Sequence, residues 1–197
     1  WYAEFCGATP PAWWIHELYH VGLGLDDHYG DNTMNPNTDH GLGWWSLMTP
    51  GMGDLTIWEK WIAGFISDNQ VQCISAEKKG VYWIAPSSVS TKKTKAVIIA
   101  IDSKRVLVLE SIRAAGMYLR NPPHAQGLLA YVVDLNKISH GTGFTLIYPK
   151  DREVNRPPFF MSAAPLKVGE SAIYENVRVK VIETGNFGDV VEVERVS

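Results

Sequence analysis

The chain changes character near residue 76, and that change limits what it can fold into. Up to Ser75, apolar residues recur at helical spacing among acids, histidines and tryptophans. Beyond Gly80 the pattern switches to period two, in short Val- and Ile-rich runs separated by turn residues. Helical segments followed by a run of strands indicate an α+β protein. Charge divides the same way. Residues 1–75 carry one basic residue, Lys60, against nine acids (net −8), whereas residues 76–197 carry 17 basic and 12 acidic residues (net +5). Seven of the eight tryptophans and four of the six histidines lie in the first stretch. Two compositions predict two modules, 1–76 and 77–197, and 197 residues suffice to bury a substantial core.

An acidic stretch rich in histidine suits a divalent cation. The overall charge of −3 lacks the basic footprint of a nucleic-acid binder. Lys78-Lys79 and Lys92-Lys93-x-Lys95 have no interleaved aromatics and read as solvated turn flanks. No run of about 18 apolar residues exists, so no membrane span is expected. Trp1–Cys6 lacks the basic and apolar regions of a signal peptide, so the numbering is expected to begin at a mature or internal cut. Cys6 and Cys73 are the only cysteines, and a bridge between them would close the first module in an oxidising compartment.

Thr9-Pro10-Pro11 reads as a helix start, a capping hydroxyl followed by proline, with the helix running to about Val21 and ending in Gly22-Leu23-Gly24. Asp54 is expected to cap a second helix carrying Ile57, Trp58, Trp61, Ile62 and Phe65 and ending near Ile66, its tryptophans packed on the first helix. Strands are expected at Val81–Ala85, Ala96–Ile101, Val106–Glu110, Leu128–Asp134, Thr145–Tyr148, Val177–Ile182 and Val190–Val196. The last two flank a hairpin turn at Gly185–Asp189. Seven short strands suggest a small barrel or, our preferred reading, an antiparallel β-sandwich.

The stretch that carries chemistry is His16-Glu17-Leu18-Tyr19-His20. Positions i and i+4 lie one turn apart on one helix face, so both imidazoles can bind one cation, most naturally zinc. Glu17 need not bind it, and a carboxylate beside the open position can take a proton from water and pass it to a leaving amine. A catalytic site needs a third protein ligand, and Asp26, Asp27 and His28 follow in a row.

His16-Glu17-x-x-His20, Gly24-Leu25-x-Asp27-x-Tyr29, Gly43-Trp44-Trp45-Ser46-Leu47-Met48 and Trp58-Glu59-Lys60 together resemble the metzincin peptidases, in particular the immune-inhibitor-A-like group of secreted bacterial metalloproteases. The match spans roughly residues 12–66. It continues loosely through Leu107–Glu110, Gly127–Asp134 and Leu166–Glu170. The resemblance implies a zinc endopeptidase acting on protein or peptide, a helical C-terminal subdomain with active-site helix and Met-turn, and an extracellular location. Strict metzincin spacing would place the third ligand at Asp26, with Leu23 at the glycine position. One inserted residue restores the glycine as Gly24 and makes Asp27 the ligand. His16, His20 and Asp27 would then hold zinc, Glu17 would be general base and acid, and Met48 the Met-turn residue. The group often has an acidic residue where Ser46 stands. Metzincins also place a twisted sheet before the active-site helix, whose edge strand holds extended substrate, whereas only about eleven residues precede the helix here. A cleaved or separate upstream part of the same precursor is therefore an expected partner. Otherwise the chain is a reduced relative that keeps its zinc site as a non-catalytic module.

Other residues have lesser candidacies. Asp31, Asn32, Asn35, Asn37 and Asp39 offer oxygen ligands that would suit calcium, a second candidate cation, although such loops are usually turns. Tyr19 and Tyr29 could donate to an oxyanion but are expected to be packed. His40 is expected to be a solvated loop residue, with a role near the metal as its other reading. Glu59 is a further option for third ligand. Glu110 is expected to face water at a strand end, a buried anchor or calcium ligand being its other readings.

Overall fold

A computed structural model describes residues 10–28, 41–49, 53–137, 143–156 and 161–196. The described residues form a mixed α+β structure with two α-helices, α1 (Pro10–Leu23) and α2 (Ile57–Ile62), and nine strands. These are β1 (Val71–Ser75), β2 (Gly80–Ile84), β3 (Ala96–Ala100), β4 (Arg105–Ile112), β5 (Gly127–Asp134), β6 (Phe144–Leu146), β7 (Ser171–Tyr174), β8 (Val177–Gly185) and β9 (Gly188–Arg195). A five-stranded sheet has the order β1-β3-β4-β5-β6 and a four-stranded sheet the order β2-β9-β8-β7. No helix among the described residues is long and apolar enough to cross a membrane.

The five-stranded sheet is covered on both faces, so its inner strands read as nearly continuous apolar runs. The cross-strand row Ile98–Val108–Tyr131–Leu146 faces one core, shared with Leu42, Trp45, Ile57 and Ile66 from the helical layer. The alternate rows, Val97–Leu109–Ala130 and Ile99–Leu107–Val132, face a second core completed by Tyr82, Ile84, Val179, Val181, Val191 and Val193 of the other sheet. Helices, sheet and sheet thus form three layers, the change of face following from the two-residue side-chain period.

All seven expected strands are present, and two more were not anticipated. Both β1 and β7 are sheet edges, half solvated and without a clean apolar alternation. The expectation of purely antiparallel pairing is corrected at β1, which pairs in parallel with β3. Between them the chain crosses to the other sheet as β2 and returns. The β8–β9 hairpin closes where expected, with Gly185 opposite Gly188. Gly188 lies at φ +120°, and a Cβ there would stand 2.0 Å from the Ile84 carbonyl oxygen, so only glycine fits.

The second helix differs from expectation at both ends. Thr56, not Asp54, is its N-cap; Thr56 and Glu59 form a reciprocal capping box, and the helix ends at Ile62. Asp54 instead pairs with Lys60. Trp58 and Trp61 pack on the first core and on each other, with ring centroids 5.7 Å apart. Cys73 is a free, exposed thiol, contrary to the expected bridge, and Cys6 lies outside the described residues.

Candidate metal centre

Helix α1 is amphipathic in an inverted sense. A helix packed on a globular core normally turns its apolar stripe inward. Here His16 is buried and His20 half-buried, while Trp14, Leu18 and Val21 on another face are 65%, 61% and 88% exposed. The helix stops at Gly24, whose φ of +65° permits a left-handed cap, with its N–H donating to the His20 carbonyl at 3.2 Å. That turn brings the following residues back under the helix. Leu25 joins Leu47, Met48 and Leu55 in a small apolar cluster against Tyr19.

Three side chains converge there. His16 Nε2 lies 3.1 Å from His20 Nε2 and 3.1 Å from Asp27 Oδ1, and His20 Nε2 lies 3.2 Å from the same oxygen. The other ring nitrogens are taken. His16 Nδ1 is 2.8 Å from the Leu47 carbonyl and His20 Nδ1 is 2.6 Å from the Leu25 carbonyl. A carbonyl only accepts, so each Nδ1 donates and each ring turns its Nε2 inward. The two Nε2 atoms and a carboxylate oxygen then face one another. Asp27 Oδ1 is indeed buried without a hydrogen-bond partner.

A bound cation would satisfy all three atoms at once, and this set fits one. Ligand atoms around a tetrahedral zinc at ~2.0–2.1 Å are about 3.3 Å apart, close to the spacing here. Both rings also have their far N–H oriented by a backbone carbonyl, as metal-binding histidines usually do. His16, His20 and Asp27 could therefore hold a metal ion.

The third position thus falls to Asp27. Asp26 is exposed and outside the group. His28 turns away, its Nε2 3.1 Å from Glu59 Oε1 and its ring against Phe144. Glu59 is not a ligand. It is fully buried on α2 and accepts from Ser46 Oγ at 2.7 Å and from Thr56 N–H and Oγ1, each at 2.7 Å. Burial alone would push its pKa up, but His28, Thr56 and Ser46 outweigh that and hold the carboxyl below the usual range. Sequence reading missed this anchoring role, although Thr56-x-x-Glu59 is a legible capping-box signature.

Glu17, next to His16, is half-buried and has no hydrogen bond or ion pair with another described residue. Met48 is fully buried, its N–H donating to Ser46 Oγ at 2.9 Å and its carbonyl accepting from His28 N–H at 2.8 Å. Tyr19 packs near Phe65, with ring centroids 6.2 Å apart. Tyr29, His40 and the oxygen-rich loop with Asp31, Asn32, Asn35, Asn37 and Asp39 lie outside the described residues. Glu110 does not face water. It is 1% exposed and Oε1 accepts from the Ile57 N–H at 3.2 Å, so the strand-end expectation is corrected to a buried anchor.

Compared with protein-family models, curated proteins and solved structures, the chain matches none.

Proposed function

We propose that this chain carries the metal-binding part of a zinc-dependent endopeptidase of the metzincin type. The observation that carries the reading is the convergence of His16 Nε2, His20 Nε2 and Asp27 Oδ1 within 3.1–3.2 Å, with both Nδ1 protons committed elsewhere. When bound there, zinc supplies Lewis acidity toward a peptide carbonyl and acidifies water. The chain's own residues do the rest. The Leu47 and Leu25 carbonyls accept from the two Nδ1–H groups and turn each Nε2 toward the ion. Glu17, the one carboxylate beside His16 not engaged by another described residue, takes the proton from the attacking water and delivers it to the departing amine. Met48 provides an apolar floor, and a protein or peptide substrate and secretion accompany the reading.

A second reading, a non-catalytic module that retains its zinc, is favoured by the exposed apolar face of α1. That face calls for a covering partner, such as an upstream part of the precursor. One experiment separates the two: zinc content and cleavage of an unstructured protein by the native chain and by Glu17→Gln, with any co-purifying fragment present. Endopeptidase function requires cleavage by the native chain and zinc without cleavage in the variant. Zinc in both with cleavage in neither supports the module, and a native chain without zinc sinks both readings.

A further inference from the structure

We infer that Glu59, which touches none of the three converging atoms, is a positioning residue that holds the metal centre in register from behind and sets its affinity for the ion. This rests on the metal reading above. The Glu59 carboxylate is fully buried where three segments meet; three groups, the Ser46 hydroxyl and the Thr56 N–H and hydroxyl, donate to it, and His28 Nε2 lies within ion-pair distance. Oε2 takes the Thr56 N–H and hydroxyl of the α2 cap at 2.7 Å each. Ser46 Oγ reaches both oxygens, Oε1 at 2.7 Å and Oε2 at 2.9 Å, and Oε1 also faces His28 Nε2 at 3.1 Å.

Each loop contact leads to the centre. Ser46 Oγ, while donating to Glu59, accepts from the Met48 N–H at 2.9 Å, which pins the turn and presents the intervening Leu47 carbonyl 2.8 Å from His16 Nδ1. His28, drawn toward Glu59, is the next residue after Asp27, and its N–H is locked to the Met48 carbonyl at 2.8 Å. One carboxylate therefore fixes both the carbonyl that orients the first imidazole and the loop that delivers the aspartate. His20, oriented by Leu25, lies outside this path. Helix capping needs only the Thr56 contacts, so the Ser46 and His28 contacts are what distinguish positioning from capping.

The test is the zinc affinity of the full chain, measured by competition with a chromophoric chelator, together with the visible spectrum of the Co²⁺ form. Glu59→Gln should lose ~10–100-fold in zinc affinity, the usual cost of removing a partner of a metal ligand, with altered Co²⁺ bands. Ser46→Ala should lose part of this. Thr56→Ala, which removes capping contacts but leaves Oε1 engaged, should be less stable yet keep zinc affinity within about threefold of native. Native affinity and an unchanged Co²⁺ spectrum in both Glu59→Gln and Ser46→Ala would overturn the inference while leaving the metal reading intact. If Glu59→Gln does not fold, Ser46→Ala decides alone by the same two readouts. A native chain that takes up no zinc removes the metal reading, and this inference with it.

Discussion

At the scale of single residues, the candidate site depends on which three atoms converge. Asp27 is the one of three neighbouring candidates whose oxygen is both buried and unpartnered, so Asp27→Asn should weaken zinc binding at least ~10-fold and Asp26→Asn should leave it unchanged. Equilibrium dialysis of the two variants checks this. The HExxH spacing announced both imidazoles because helical periodicity alone puts them on one face. It did not choose the third ligand, since a one-residue shift in a loop changes the ligand without changing any periodic pattern. Nor did it show Glu110 as buried. Burial pushes that carboxyl up to about 7, with Lys60 and the Ile57 N–H offsetting only part. Below the ordinary carboxylate value both folded and unfolded chains hold the proton. As pH rises through 4.5 toward 7 the unfolded chain releases it first, so this group's stabilisation is lost over that window, by about 3 kcal/mol in total. Urea unfolding at pH 5 and pH 8 should show Glu110→Gln gaining on the native chain by roughly that amount at the higher pH.

At the scale of elements, every interior strand was legible, and the two that were missed, β1 and β7, are both edges. A strand buried on both faces, such as Ala96–Ala100, reads as an apolar run, whereas β1 and β7 bury only Ile74 and Ala172 respectively, too few for a periodic signal. The start of α2 was misplaced by two residues because Asp54 and Thr56 are both plausible caps. Only the reciprocal bond with Glu59 decides between them. Thr56→Ala should therefore cost about 1 kcal/mol, up to ~2, in chemical denaturation. Gly188→Ala should cost more, because its Cβ would collide with the Ile84 carbonyl as well as strain the backbone. Thermal melts of the two variants, run side by side, would rank them.

At the scale of the whole molecule, the five-stranded sheet is the wall between two cores, and the helical layer holding the candidate centre is built on one side of it. Trp45 belongs to that side, fully buried with its indole N–H donating to the Met161 carbonyl at 3.0 Å. Trp45→Ala should lower stability by about 3–5 kcal/mol and shift the entire calorimetric transition, with no earlier melting of the helical layer alone. Two resolved transitions would show that the layers unfold separately. The abrupt change of composition near residue 76 falls within a shared packing, because Leu42, Trp45, Ile57 and Ile66 lie in one core with Ile98, Val108, Tyr131 and Leu146. A gene break at that point would hand the downstream product a sheet missing its parallel edge strand, with the row Ile98, Val108, Tyr131 and Leu146 laid open to water. Such a surface is prone to association, so the downstream half is expected to aggregate when it is expressed without the first.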